Sequence, residues 1–161
     1  MAVYTQDKDP QEVIDYTIDW SDHLASGETI STSTWTFPNG SSELIEYMLP
    51  YDGQTVNFVV GGTVTGATSG ATGVIVSDDD SGTSGTLHLK NLTGTFVDNE
   101  TITGSTGGSA TSKLDGRFTA DTATVWLSGG TAGEEYTVKN TITTSAGRTI
   151  EKTLVVPVLQ D

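Results

Sequence analysis

Apolar side chains recur at every second position in several stretches, and the clearest lies near the end of the chain. Between Glu134 and Val158, Tyr136, Val138 and Ile142 fall on one face of an extended chain, with Asn140 the only interruption. Ile150, Leu154, Val156 and Val158 do the same further on, and Ser145-Ala146-Gly147-Arg148 lies between the two runs. Two period-two runs joined by a Gly-containing connection predict a β-hairpin. A hairpin with one apolar face needs a second sheet to cover it. Ile14, Tyr16, Ile18 and Trp20 alternate with Val13, Asp15, Thr17 and Asp19, which predicts a strand with one apolar and one mostly acidic face. Just before it, Asp9-Pro10-Gln11-Glu12 has the spacing of a helical-turn cap, with Glu12 three residues after Asp9. A second strand is expected over Thr29 to Phe37, ended by Pro38-Asn39-Gly40. Ile30 has the opposite parity to Trp35 and Phe37, so the pattern requires a bulge or separate packing of Ile30. Phe118 to Leu127 reads as another strand, with Ala123, Val125 and Leu127 on one face, followed by a turn over Ser128 to Gly133.

The middle of the chain has a different texture. After Pro50 and up to Asp115 it is nearly all Gly, Thr, Ser, Ala and Val. Within it, Phe58-Val59 to Gly70 aligns with Phe96-Val97 to Gly108 at a constant offset of 38 positions, with Val64 matched to Ile102. Each copy reads as a strand ending in a Gly-rich turn, and Val74-Ile75-Val76 and Leu87-His88-Leu89 read as further strands. Two copies are too few for a solenoid and predict a small pseudo-symmetric β-module in which equivalent strands pack together. The chain therefore divides into a discontinuous host domain, 1–50 with 116–161, and an insert, 51–115. The expected core of the insert is Val56, Phe58, Val64, Ile75, Leu87, Leu89, Phe96 and Ile102. A module this small is marginal alone and is expected to lean on its host or on a neighbouring copy.

Composition sharpens the class. Of 161 residues 34% are hydrophobic and 19 are Gly, which with abundant Thr and Ser fits an all-β chain with many tight connections. There is no cysteine, so disulfides, thiolate metal sites and cysteine nucleophiles are excluded. The formal charge is -14, from 7 basic and 21 acidic residues. That balance cannot supply the clustered Lys and Arg that displace counterions from phosphate, so no nucleic-acid partner is expected. No run approaches the roughly 20 apolar residues of a membrane-spanning helix. No charged-then-apolar run at the N-terminus marks a secretory signal.

The candidate sites are few. Asp78-Asp79-Asp80 is the densest acidic run, but Gly82 is off the calcium-loop pattern and no distal Glu follows, so a solvated turn is expected. His23 and His88 are the only histidines, neither has companions at zinc-ligand spacing, and His88 between Leu87 and Leu89 is expected on the exposed strand face. No Gly-x-Ser-x-Gly elbow accompanies them. Gly61-Gly62 and Gly107-Gly108 lack the Lys of a phosphate loop and read as turns. No catalytic, cofactor-binding or metal residues are therefore assigned, and no enzymatic activity is expected. Trp20 and Trp35 are expected in the core. Trp126 has the parity opposite to Val125 and Leu127, so it points outward and is the candidate partner contact.

An ordered set of motifs carries a family resemblance. Lys8-Asp9-Pro10, Asp15 to Ser21, Thr29 to Trp35, Thr124 to Thr131, Tyr136-Thr137-Val138 and Thr143 to Thr149 together resemble small tailed-phage structural proteins described as fiber-tail adaptor or head-tail region proteins. The insert resembles Gly/Thr-rich β-modules of other phage virion proteins. The resemblance implies an immunoglobulin-like β-sandwich for the host domain. It also implies a non-enzymatic structural role on the outer surface of a virion, after assembly in the host cytoplasm. The partners implied are tail, fiber or capsid subunits, with a homo-oligomer in the assembled particle and no membrane contact. A fiber-tail adaptor is the first reading and a capsid decoration or cement protein the second. A carbohydrate-binding or host-adhesion module is a third, disfavoured because only 7% of residues are aromatic.

Overall fold

In the computed structural model, described here over residues 3–5, 7–38, 45–114 and 118–159, the chain is all-β. Its strands are β1 (Val3–Thr5), β2 (Ile14–Asp19), β3 (Ile30–Thr36), β4 (Ile45–Val56), β5 (Thr63–Gly66), β6 (Thr72–Asp80), β7 (Gly85–Thr93), β8 (Thr101–Gly104), β9 (Ser109–Ser112), β10 (Thr122–Gly129), β11 (Glu135–Thr144) and β12 (Thr149–Pro157). Among the described residues the one helical element is a 3₁₀ turn, Ser21–His23. Two compact units form, one from Met1–Ser41 with Gly116–Asp161 and one from Ser42–Asp115.

The first unit contains a four-stranded sheet in the order β1-β12-β11-β3, with β1 parallel to β12 and the rest antiparallel. The ribbon β2–β10 supplies a second apolar face. Tyr16, Ile18 and Trp20 from β2 and its end, and Ala123, Val125 and Leu127 from β10, are all buried. So are Trp35 of β3, Tyr136, Val138 and Ile142 of β11, and Leu154 and Val156 of β12. Each of the larger aliphatic side chains among them contributes about 1.5–3 kcal/mol on burial. The β11–β12 hairpin closes on Ser145 to Arg148, where Thr144 N–H donates to the Arg148 carbonyl at 2.9 Å. The parity conflict in β3 resolves as a bulge. Thr32 pairs with Thr143 but Ile30 with Thr144, so Ser31 is the extra residue and Ile30 joins the same buried face as Trp35.

One local reading of the sequence needs correction in this unit, that of the strand at Phe118. Asp9 and Glu12 cap each other as their spacing indicates, with Gln11 N–H on Asp9 Oδ1 at 2.8 Å and Asp9 N–H on Glu12 Oε2 at 3.0 Å, and a turn follows. The strand expected from Phe118 begins at Thr122 and runs on to Gly129. Thr119 Oγ1 accepts the Thr122 N–H at 3.1 Å and turns the chain back, leaving Phe118 in a lone bridge with Ala123. Of the turn expected at Pro38-Asn39-Gly40, Asn39 and Gly40 lie outside the described residues.

The second unit is a small antiparallel barrel. Its strands run in the order β4-β7-β6-β5-β8-β9, and β9 returns to β4, so every strand has two neighbours. The long β4 makes closure possible: Tyr47 to Tyr51 pair with β7, and Tyr51 to Val56 pair with β9. Strands that close on themselves leave no free edge, and a barrel this narrow is filled by side chains. Leu49, Tyr51, Val64, Ile75, Leu87, Leu89 and Ile102 fill it, with Phe58 and Phe96 buried alongside. Val56, expected in this core, is instead 53% exposed, because it lies an odd number of positions after the inward Tyr51 and pairs with Ser109, whose parity is opposite to that of the buried Ala110 and Ser112. β4 also runs unbroken through Pro50, at which the sequence changes texture.

The sequence repeat is a structural one. β5 and β8, its equivalent strands, pair with each other, Val64 opposite Gly104 and Gly66 opposite Ile102. A local two-fold axis through Thr65 and Thr103 exchanges these pairs. The same axis relates Ala67 N–H on the Thr101 carbonyl, 2.9 Å, to Ser105 N–H on the Thr63 carbonyl, 2.8 Å. Gly61 and Asn99 occupy equivalent positions and both take left-handed backbone, with φ of 87° and 56°. That geometry suits Gly and Asn and few other residues.

Candidate interaction surface

Alternation along β10 decides which side chains are presented. Ala123, Val125 and Leu127 are fully buried, and Trp126 between them is 39% exposed. Antiparallel register places Trp126 opposite Asp15 of β2, and Thr124 opposite Thr17, whose hydroxyls bond at 2.8 Å. Val13, just before β2, is 50% exposed. The outward face of the ribbon thus presents an indole opposite a carboxylate, next to a pair of hydroxyls. Such a mixture suits an interface better than a catalytic centre.

Beneath this surface, polar groups are locked into the core. Trp20 Nε1 donates to Asn140 Oδ1 at 3.1 Å, and Asn140 Nδ2 donates to Ser33 Oγ at 2.9 Å and to the Thr34 carbonyl at 3.0 Å. Lys152, Cα partner of Asn140, places Nζ 2.5 Å from the Asp19 carbonyl oxygen and 4.6 Å from the Trp20 ring centroid. Burial, partly opposed by Asp19 and Asp22, holds the Lys152 pKa below its ordinary value. Lys8, buried like these, donates through Nζ to the carbonyls of Asp9 at 2.7 Å and Gly129 at 2.8 Å. Near the hairpin turn, Glu28 accepts bonds from Arg148, Thr144 and the Ala25 N–H. Those partners, Arg148 first, pull its pKa down to about 2.

The structure places the other sequence-selected residues as follows. Trp20 and Trp35 are buried. His23 is exposed at the 3₁₀ turn, edge-on to Trp20 at 5.9 Å between centroids. His88 is a correction: it is buried, its ring held between side chains of the two strands that flank β7. Its Nδ1 lies 3.3 Å from Glu46 Oε2 on β4, and its Nε2 lies 3.0 Å from Asp79 Oδ2 on β6. Asp78-Asp79-Asp80 is a second correction, since it forms the end of β6 and the turn follows it. Asp78 accepts the Tyr51 hydroxyl at 2.8 Å, and Asp80 accepts Asn57 Nδ2 at 3.1 Å and the Gly82 N–H at 2.7 Å. Glu100 was missed by sequence reasoning. Its buried carboxylate accepts the N–H groups of Thr68, Ser69 and Val97 at 2.8–3.0 Å, and so ties the first repeat's turn to the second repeat. A Glu three residues after Val97 was the one available signal.

Comparison with known proteins gives one family. The model of the family described as podophage GP4 fiber-tail adaptor protein gp77 matches residues 8–90 and 84–157. No curated protein matches the chain.

Proposed function

The chain belongs to the podophage GP4 fiber-tail adaptor protein gp77 family, and from that premise we propose that it is a non-enzymatic structural protein joining fiber to tail in the virion. The carrying observation is the extent of the family match, residues 8–157 in two overlapping stretches. The protein works by surface complementarity, in several copies at symmetric positions. Trp126 is its anchor, because an exposed indole on a rigid strand is pre-organised to enter a partner's pocket. The acidic surface repels packaged nucleic acid and suits an external position on the particle.

The first unit is an immunoglobulin-like sandwich carrying the barrel as an insert between β3 and β10. Three features support this. A four-stranded sheet faces the β2–β10 ribbon. Trp35 is buried on β3. Tyr136, at the start of the penultimate strand, accepts the Thr131 N–H on its hydroxyl at 2.9 Å, the arrangement of a tyrosine corner.

Imaging a purified virion and counting this chain tests the proposal. A ring of copies at the fiber-tail junction, matching the rotational symmetry of the tail, is expected. Copies spread over the capsid lattice would instead make it a cement protein.

A further inference from the structure

β1, β3 and β2 lie at sheet edges in the first unit. β1 has three residues, and β3 is broken by its bulge and has the Thr34 carbonyl taken by Asn140. The edge of β2 differs, and one bond sets its direction. Trp20 N–H donates to the Asp121 carbonyl at 2.8 Å, one step beyond the Asp19–Thr122 pair. Bonded pairs alternate along an antiparallel ladder, so Ile18, Tyr16 and Ile14 are the residues that exchange bonds with β10. The N–H and C=O groups of Asp15, Thr17 and Asp19 therefore point away from β10. The Asp19 carbonyl agrees, since Lys152 Nζ meets it at 2.5 Å from another sheet. Among the described residues, the backbone groups of Asp15 and Thr17 have no such partner, and both residues are exposed.

A row of unpaired N–H and C=O groups is a template for a further strand. Charge decides which strand. A second copy paired antiparallel about Thr17 would set Asp15 of each copy opposite Asp19 of the other, and like charges directly opposite are destabilising. Asp19 Oδ1 already accepts the Ser21 N–H, whereas Asp15 makes no hydrogen bond among the described residues. Trp126 lies opposite Asp15 on β10 and is 39% exposed. An edge shaped only to repel other strands has no use for an indole beside its carboxylate. A guest residue opposite Asp15 has its Cβ about 5 Å from that of Asp15, and lies two strand spacings, about 10 Å, from the Trp126 backbone. An arginine there reaches both, pairing with the carboxylate and lying against the indole.

We propose that the open edge of β2 takes an extended segment of a partner protein as an added strand, with a basic side chain opposite Asp15. The inference goes beyond the adaptor reading and stands without it, because it concerns a backbone edge and not the place of the chain in a particle.

The test mixes the full chain with an end-blocked octapeptide of alternating arginine and valine. Physiological ionic strength keeps the charge of -14 from holding the peptide by long-range attraction alone. Saturable binding is expected, with slowed hydrogen exchange at the Asp15 and Thr17 amides, whereas those of Tyr16 and Ile18, already paired with β10, change little. Asp15→Lys weakens binding at least about tenfold. Glu151→Lys makes the same charge change on the outward face of the four-stranded sheet and leaves binding within about twofold. Two N-methylated peptides, one modified at every arginine nitrogen and one at every valine nitrogen, lose donors from opposite edges of a strand. One of them binds like the parent peptide and the other at least about tenfold more weakly, and which one it is reads the direction of the added strand. The proposal is overturned by absence of saturable binding, by equal effects of the two methylations or of the two lysine substitutions, or by unchanged exchange at Asp15 and Thr17.

Discussion

Trp20 and Asn140, 120 residues apart in sequence, meet in the core through an indole-to-amide hydrogen bond of 3.1 Å. Asn140 interrupts an otherwise apolar strand face, and this bond explains why. Its amide satisfies the Trp20 N–H on one side and the Thr34 carbonyl on the other. Asn140→Ala leaves both unmet and opens a small cavity. The expected loss is about 2–4 kcal/mol, read from urea unfolding. Trp20→Phe, which removes only the donor, is expected to cost less than half of that.

Gly108 separates two effects of adding a methyl group. Its φ is +117°, and a Cβ there would fall on the ring of Phe58. Gly82 has φ of +95° with open space around it. Gly82→Ala is expected to cost about 1 kcal/mol, from backbone strain alone. Gly108→Ala adds a clash inside a filled barrel, and its cost is expected to exceed that by at least about 1–3 kcal/mol. Thermal unfolding of the two variants side by side checks the difference.

Much of this architecture was legible as alternation. Tyr136 to Ile142, Leu154 to Val158 and Tyr16 to Trp20 bury the faces their parity indicated. The repeat was legible too, and its matched residues Val64 and Ile102 occupy equivalent places in paired strands. What escaped reading was polar and long-range. Lys8, Lys152 and Asn140 look like surface residues until partners more than a hundred positions away cover them. Asp78 to Asp80 look like a solvated turn until Tyr51, 27 positions earlier in the chain, comes up beside Asp78. β4 was obscured by Pro50, which ordinarily argues against a strand interior. Its carbonyl still accepts the Lys113 N–H at 2.9 Å. Tyr47, Leu49 and Tyr51 alternate straight through it.

Glu28 gives a pH dependence with a definite sign. Its folded pKa of about 2 lies below the ordinary 4.5, with Arg148 as the leading cause. The charged form is therefore favoured by folding. That stabilisation is complete above about pH 4.5 and disappears as the pH falls through about 2. Glu28→Gln should lower Tm at pH 7, and the gap to the parent chain should close as the pH is taken down toward 2. A gap that stays constant across this range would remove Glu28 as its source.

Trp126 tests the interface without testing the fold. The residue is 39% exposed, while its neighbours Val125 and Leu127 hold the strand in the core. Truncation at an exposed strand position away from caps and cavities typically changes stability by about 0.5 kcal/mol or less. Trp126→Ala should therefore unfold with nearly the parent midpoint. If the indole enters a partner's pocket, the same change should cost at least about 2 kcal/mol of binding, more than tenfold in affinity. Trp126→Phe keeps an aromatic ring and should recover part of that loss. The measurement is fiber retention on virions assembled with each variant, scored by protein composition of purified particles. Normal retention with Trp126→Ala would place the contact elsewhere, whereas loss graded from Phe to Ala ties attachment to the size of this one side chain.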